Sequence, residues 1–237
     1  RVDKDKTNSE MLQYYGMWVH QIKTPIAAMH LLLQTDLSMA ADNESAEEIY
    51  FRVSELKKEL SNELFQIEQY TEMALEYQRV QSESNDFVLG KIKLDKVIRE
   101  SIRKYAKIFI RKKLSMHYDG TDIIVASDEK WLSFIIEQIL SNAIKYTKAG
   151  SITINVLPNA SNKIVCLEIA DEGIGISAED IPRVFEKGYT GYNGHENKSS
   201  TGIGLYLCKQ AADKLGHRLE IESEKKKGTK VRIYFYT

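Results

Sequence analysis

Residues 12–33 read LQYYGMWVHQIKTPIAAMHLLL, and the spacing of their apolar members decides the fold of the first third of the chain. Leu12, Tyr15, Val19, Ile22, Ile26, Met29 and Leu33 recur at intervals of three and four, the pattern of a long helix with one apolar seam that needs a partner. A second seam runs through Ile49, Val53, Leu56 and Leu60 and resumes at Ile67, Tyr70, Ala74 and Tyr77, interrupted where Glu63 takes the seam position with Leu64 beside it. Asp42, Asn43 and Ser45 stand between the seams as turn and N-cap residues, so the spacing predicts an antiparallel helical hairpin. One hairpin buries too little. Two strict seams are satisfied when two hairpins pair as a four-helix bundle, which predicts a homodimer.

At QSESNDF, residues 81–87, the heptads stop. The expected division is a helical hairpin over 1–84 and a second domain over 85–237. In that second part helical patterns over 94–113, 129–146 and 204–215 interleave with alternating ones at Ile152/Ile154/Val156, Val165/Leu167/Ile169, Leu219/Ile221 and Val231/Ile233/Phe235. Turn residues in LPNASNK and EKKKGTK close two hairpins. The pattern predicts an α+β sandwich, with helices on one face of a mixed sheet.

The 237 residues are 43% hydrophobic and 28% charged, with 13 Gly and 3 Pro. Disulfide-stapled mini-proteins, collagen-like chains and largely disordered ones are thereby excluded. The net charge of −1 argues against a chain-wide polycation that coats nucleic acid. That mean hides an asymmetry: residues 1–84 carry 8 basic and 15 acidic side chains, a net of −7, which leaves 25 and 19, a net of +6, for the remainder. A basic second module suits an anionic ligand, although solvated surface charge gives the same count. Cys166 and Cys208 lie in apolar segments without a His or Cys partner at metal spacing, and both are expected to be reduced core residues.

Four short segments carry candidate chemistry. WVHQIKTP, residues 18–25, places His20 and Thr24 one turn apart on the face opposite the seam, and Pro25 withholds a hydrogen bond from the carbonyl of Gln21. EQILSNAIKYT, residues 137–147, puts Asn142 and Lys145 three apart on one helix, an amide oxygen that suits Mg²⁺ beside a point charge that suits phosphate. DEGIGI, residues 171–176, follows a strand. There Asp171 can accept from an exocyclic amine such as that of adenine, and Gly173 and Gly175 let the backbone approach a flat ligand. STGIGLYLCKQ, residues 200–210, opens a helix with Gly202 and Gly204, whose free N–H groups can cradle phosphates. Between the last two segments, Gly188, Gly191 and Gly194 mark a loop suited to covering a nucleotide. Each segment has a plainer reading as ordinary surface polarity or a tolerated proline.

In this order and at these spacings the four segments resemble the sensor histidine kinases of two-component systems, with their H, N, G1, F and G2 boxes. WVHQIKTP and VFEKGYTGYNGH further resemble the intramembrane-sensing kinases of Gram-positive bacteria that work beside antimicrobial-peptide ABC transporters. The resemblance implies a dimerisation and phosphotransfer hairpin followed by an ATP-binding domain of the Bergerat type, with ATP and Mg²⁺ as cofactors. By residue, it implies that His20 accepts the phosphoryl group, and that Thr24 positions water for dephosphorylating a partner response regulator. Asn142 then holds Mg²⁺, Lys145 and Tyr146 contact phosphate or the adenine side, and Asp171 takes the adenine amine with Gly173 and Gly175 beside it. Gly202 and Gly204 face the phosphates, Thr229 lies near the adenine, and Lys187 or Lys198 reaches the γ-phosphate from the loop. It also implies two membrane-spanning helices upstream of Arg1, which makes this chain the cytoplasmic part of a membrane protein, with no role in nucleic-acid binding.

Two positions depart from the family pattern: Gln21 stands where an acidic residue is common, and Gln138 where an additional Asn is common. An amide can accept the imidazole N–H and fix its tautomer but cannot take the proton. Slowed autophosphorylation is the expectation. The alternative is a nucleotide-gated phosphatase or scaffold with negligible kinase activity; an unrelated ATPase is the third reading. His30, His117, His195 and His217 are read as surface, strand, loop and turn residues without a chemical role.

Overall fold

The structure, a computed structural model, describes residues 2–39, 45–81, 87–158, 164–191 and 202–236. Asp42, Asn43, Gly194, His195 and Lys198 lie outside them. The chain forms two compact units, 1–81 and 82–237.

The first unit is a hairpin of α1 (Val2–Met39) and α2 (Ala46–Gln81). Ser45 starts α2 through a capping box: its hydroxyl accepts from the Glu48 amide at 3.3 Å, and the Glu48 carboxylate accepts from the Ser45 amide at 2.9 Å. Asp36 pairs with Arg52 near the connection, and Trp18 meets the edge of Tyr77 at 5.1 Å towards the other end. Partner numbers therefore rise on one helix as they fall on the other, as in an antiparallel pair. Helix α1 continues through Pro25. Trp18, Gln21 and Pro25 are buried, at intervals of three and four. That buried stripe is not the heptad seam. Val19, Ile26 and Leu33 of the seam are 53%, 39% and 44% exposed in the single chain. Tyr70 and Tyr77 of the second seam are buried as well, while Val19, Ile26 and Leu33 of the first seam and Ile49 and Val53 of the second face outward.

The second unit is built on a five-stranded sheet in the order β2-β4-β5-β7-β6: β2 (Ser115–His117), β4 (Ser151–Pro158), β5 (Ile164–Asp171), β6 (Arg218–Glu224) and β7 (Gly228–Tyr236). Only the β2·β4 pair is parallel, so the sheet is mixed. The β4·β5 and β6·β7 hairpins are those expected from LPNASNK and EKKKGTK. A separate two-stranded ribbon pairs β1 (Gly90–Lys93) with β3 (Ile124–Ser127).

Three helices cover one face: α3 (Leu94–Lys112), α4 (Glu129–Tyr146) and α5 (Gly204–Lys214). Ile152, Leu167, Ile169 and Phe235 of the sheet, with Ile135, Ile139 and Leu207 of the helices, are at most 2% exposed. Each such side chain contributes about 1.5–3 kcal/mol by leaving water. Cys208 belongs to this core. Cys166 does not: alternation along β5 sends Val165, Leu167 and Ile169 inward and Cys166 to the helix-free face, where it is half-buried. Among the described residues no helix is long and apolar enough to cross a membrane.

Candidate functional site

His20 and Thr24 are both exposed on α1, and the Thr24 hydroxyl donates to the His20 carbonyl at 3.1 Å. That bond settles the threonine side chain on the turn that carries the imidazole. Gln21 goes elsewhere. At 8% exposure it lies on the buried stripe with Trp18 and Pro25, about 100° round the helix from His20.

In the second unit the remaining candidate segments are joined by backbone. Helix α4 begins at Asp128, whose carboxylate accepts from the Trp131 amide at 3.0 Å and from the Val88 amide at 2.7 Å. Asn142, Lys145 and Tyr146 fall on its last two turns and are half-buried. Among the described residues the Asn142 carboxamide has no hydrogen-bond partner, which leaves its oxygen available to a hard cation. Burial pushes the Lys145 ammonium down to about 8, and its Nζ stands 5.6 Å from the centre of the Tyr146 ring.

The carbonyl of Tyr146 accepts from the Ile174 amide at 3.2 Å, which ties the Asp171–Ile176 loop to the end of α4. The far side of that loop is held by the β6·β7 turn: Lys226 N–H donates to the Ile174 carbonyl at 2.7 Å, and the Ser223 hydroxyl accepts from the Ile176 amide at 2.9 Å. Gly175 sits at φ +69°, and a Cβ there would lie 2.0 Å from the Glu224 carbonyl oxygen. No other residue fits so tight a crossing.

Asp171 ends β5 opposite Thr229. Its carboxyl accepts from the Gly173 amide at 2.8 Å and from the Thr229 amide, yet burial outweighs both and pushes it up to about 6. A carboxylate held back from water in this way favours a ligand that brings its own N–H donor. Thr229 Oγ1 is 2.9 Å from the Ser223 hydroxyl, so the threonine belongs to the same clamp.

Gly202, at φ +65°, carries a carbonyl that accepts from the Gly188 amide at 3.0 Å. This fastens the turn before α5 to the segment that contains Lys187, which is half-buried. Gly204 opens α5 against Gln138 of α4, where a Cβ would stand 2.4 Å from Nε2. The three expected segments of this unit are thus linked, from α4 to the Asp171 loop and β7 on one side and to Gly204, Gly202 and Gly188 on the other. Two half-buried titratable groups of opposite sign, a carboxamide and a glycine-opened helix start have the chemistry that suits a polyanion with a flat base. Among the described residues no cluster of three His, Cys, Asp or Glu could hold a metal by itself, so a cation here would need oxygens from the ligand.

Sequence reasoning missed Ser223 and Lys112. Ser223 lies opposite Thr229 in the β6·β7 register, a pairing that its turn alone could have suggested. Lys112 donates to the Ile144 carbonyl at 2.5 Å, and nothing distinguishes it within the run Arg111, Lys112, Lys113.

Residues 127–237 match the family described as histidine kinase-, DNA gyrase B-, and HSP90-like ATPase. Over 227 residues the chain is 35% identical to the sensor histidine kinase YxdK of Bacillus subtilis (strain 168), covering 94% of this chain and 64% of the relative. Along nearly its whole length the chain is similar to a sensor histidine kinase. A second relative, the sensor protein BceS of Bacillus subtilis (strain 168), is 34% identical over 218 residues, covering 92% of this chain and 60% of BceS. The chain thus spans less than two thirds of the length of these curated relatives. Among solved structures, the histidine kinase ThkA in complex with the response regulator protein TrrA superposes with a TM-score of 0.60 at 19% identity, covering 94% of this chain and 61% of ThkA. At that identity the likeness is one of fold. The ATPase-like match over 127–237 contains the linked site, and the hairpin carries the exposed His20.

Proposed function

We propose that this chain is the cytoplasmic catalytic part of a membrane sensor that uses ATP to phosphorylate His20 and passes the phosphoryl group to an aspartate of a response regulator. The observation that carries the reading is the linked site around Asp171, Lys145 and Asn142, in a chain whose other unit exposes one histidine beside a threonine and a proline. Asp171 takes the adenine amine, with Thr229 and Ser223 holding the neighbouring turn. Lys145 and the N–H groups at Gly202–Gly204 meet the phosphates, Tyr146 borders the same pocket, and Lys187 approaches from the adjoining segment. The free Asn142 oxygen fits Mg²⁺, which when bound neutralises charge on the phosphate oxygens.

In the first step an imidazole nitrogen of His20 attacks the γ-phosphorus, the bond to the bridging oxygen breaks, and ADP departs. The extra ring proton goes to solvent. A neutral imidazole presents its lone pair without prior deprotonation, so the lack of an acidic side chain at position 21 slows this step rather than abolishing it. In the second step a regulator carboxylate attacks the phosphorus, the N–P bond breaks and the ring regains a proton. Catalysis rests on positioning and charge neutralisation. The outward-facing seam residues of α1 and α2 are covered by a second copy of the chain, and the resemblance to transporter-linked kinases extends the partners to an ABC transporter through membrane helices upstream.

Incubation with labelled ATP and Mg²⁺ tests this directly. The wild-type chain is expected to retain acid-labile, base-stable label that moves to added response regulator. His20→Ala is expected to lose the label while still binding ATP, and Asn142→Ala to lose the label as well. Label retained by His20→Ala would overturn the assignment.

A further inference from the structure

The carbonyl end of α4 is accounted for residue by residue. The Ala143 carbonyl accepts from the Thr147 amide at 3.0 Å, and that of Tyr146 from the Ile174 amide at 3.2 Å. Among the described residues the two carbonyls between them, of Ile144 and Lys145, have no backbone donor, as expected in the last turn of a helix. Both are reached from a different helix: Lys112 Nζ lies 2.5 Å from the Ile144 oxygen, 3.4 Å from that of Lys145 and 3.5 Å from that of Thr147.

Lys112 is aimed there by its own helix end. It is the last residue of α3, and the chain then turns sharply through Lys113 at φ 55°, with Lys113 N–H returned to Ile110 and Leu114 N–H to Phe109. The ammonium is half-buried, and burial lowers its proton affinity. A cation in this place is favoured by the partial negative charge of the helix end and by charge-assisted hydrogen bonds. The turn that it fixes carries Lys145 and Tyr146, and the next carbonyl along holds the Asp171 loop through Ile174.

We propose that Lys112 is a positioning residue for the nucleotide: it clamps the end of α4 so that Lys145 and the Asp171 loop stand in binding register before ATP arrives. This rests on the reading of the site as a nucleotide pocket. Lys112 Nζ is engaged by the carbonyls at the end of α4, so its removal weakens ATP binding while leaving the chemistry of a bound nucleotide intact.

The test measures, on the full chain, the dissociation constant of Mg²⁺-ATP and the KM and kcat of His20 labelling for Lys112→Met, Lys112→Arg and Arg111→Met. Lys112→Met is expected to raise Kd and KM about tenfold at nearly unchanged kcat, the size of effect that a partly buried cation at a helix end supports. Lys112→Arg restores most of the loss. Arg111→Met, which removes the same charge from an exposed neighbour, behaves as wild type. Should Lys112→Met not fold, Lys112→Gln, which keeps an N–H donor without the charge, carries the comparison. Wild-type ATP affinity in the folded neutral variant, a fall in kcat alone, or equal losses in Arg111→Met would each overturn the assignment while leaving the nucleotide site standing. Failure of the wild-type chain to bind ATP would overturn both.

Discussion

Gly204, the first residue of α5, lies against the carboxamide of Gln138 on α4 so closely that a Cβ on the glycine would stand 2.4 Å from Nε2 and 2.9 Å from Cδ. The contact couples the glycine-opened helix to the helix that carries Asn142. It also gives a structural place to one of the two amides that depart from the family pattern. The obstacle is the end of a flexible side chain, so Gly204→Ala is expected to fold with Gln138 displaced, losing about 1–3 kcal/mol as small-to-large changes do in packed sites. Gln138→Ala in the same chain should recover most of that loss. Thermal unfolding of the four members of the double-mutant cycle measures the coupling, and strictly additive effects would mean that the two residues do not share the site as described.

Gly175→Ala meets backbone instead of a side chain. A Cβ there would lie 2.0 Å from the Glu224 carbonyl oxygen and 3.0 Å from Lys225 Cα, at a φ of +69°. Neither the β6·β7 turn nor the loop can yield without breaking the Lys226 to Ile174 bond. The expected cost is about 2–4 kcal/mol, from positive-φ strain together with overpacking, and ATP binding should be lost with it. A variant that keeps wild-type stability and affinity would refute the crossing.

What could be read from the residues, and what could not, follows from the range over which each feature acts. Helices α3, α4 and α5 and strands β4 to β7 announce themselves within their own spans, because amphipathic period, alternation and turn residues are local. Strands β1, β2 and β3 have three or four residues each, too few for a period, and β2 is a strand only because Ser115–His117 lie beside β4. Cys166 sits in an apolar segment and so reads as core, yet the alternation of Val165, Leu167 and Ile169 turns it outward. The heptads of α1 located an apolar seam but not what covers it, since the hairpin contact runs through Trp18 and Pro25 on the flank. At the site, Asn142, Asp171 and the glycines are legible because their chemistry resides in residue type and short spacing. The Lys112 clamp and the Ser223 bond to Ile176 span 32 and 47 residues of sequence, and no local pattern encodes them.

The exposed seam makes its own demand. Val19 at 53%, Ile26 at 39%, Leu33 at 44%, Ile49 at 41% and Val53 at 49% exposure form a stripe along both helices that a second hairpin would bury. Ile26→Glu together with Val53→Glu is expected to yield monomers in light scattering, because two charges per chain would enter a desolvated seam at a cost of several kcal/mol. ATP binding should survive, since the ATPase domain has its own core. A variant that remains fully dimeric would show that the two copies do not pair through this stripe.

The affinity for ATP is expected to pass through a maximum between about pH 6 and pH 8. Burial raises the Asp171 carboxyl from 3.8 to about 6; below that value the group is protonated and no longer an anionic acceptor for the adenine amine, so affinity falls as pH falls. Burial lowers the Lys145 ammonium from 10.5 to about 8; above that value its charge is lost and the phosphates lose a partner, so affinity falls as pH rises. The stability of the ligand-free chain runs the other way for each group. A carboxyl with a raised folded value binds more protons folded than unfolded, so its penalty grows as pH rises through about 4 to 6 and stays in force above. An ammonium with a lowered folded value binds fewer protons folded than unfolded, so its penalty is present below about 8 and fades as pH climbs from there to about 10.5. Bound nucleotide relieves both penalties, which moves the two limbs of the profile outward at saturating ATP. Titration of Mg²⁺-ATP between pH 5 and pH 9.5 tests the assignment, with Asp171→Asn expected to flatten the acid limb and Lys145→Met the basic limb. An acid limb that survives unchanged in Asp171→Asn would belong to the ionisation of the nucleotide and not to this carboxyl.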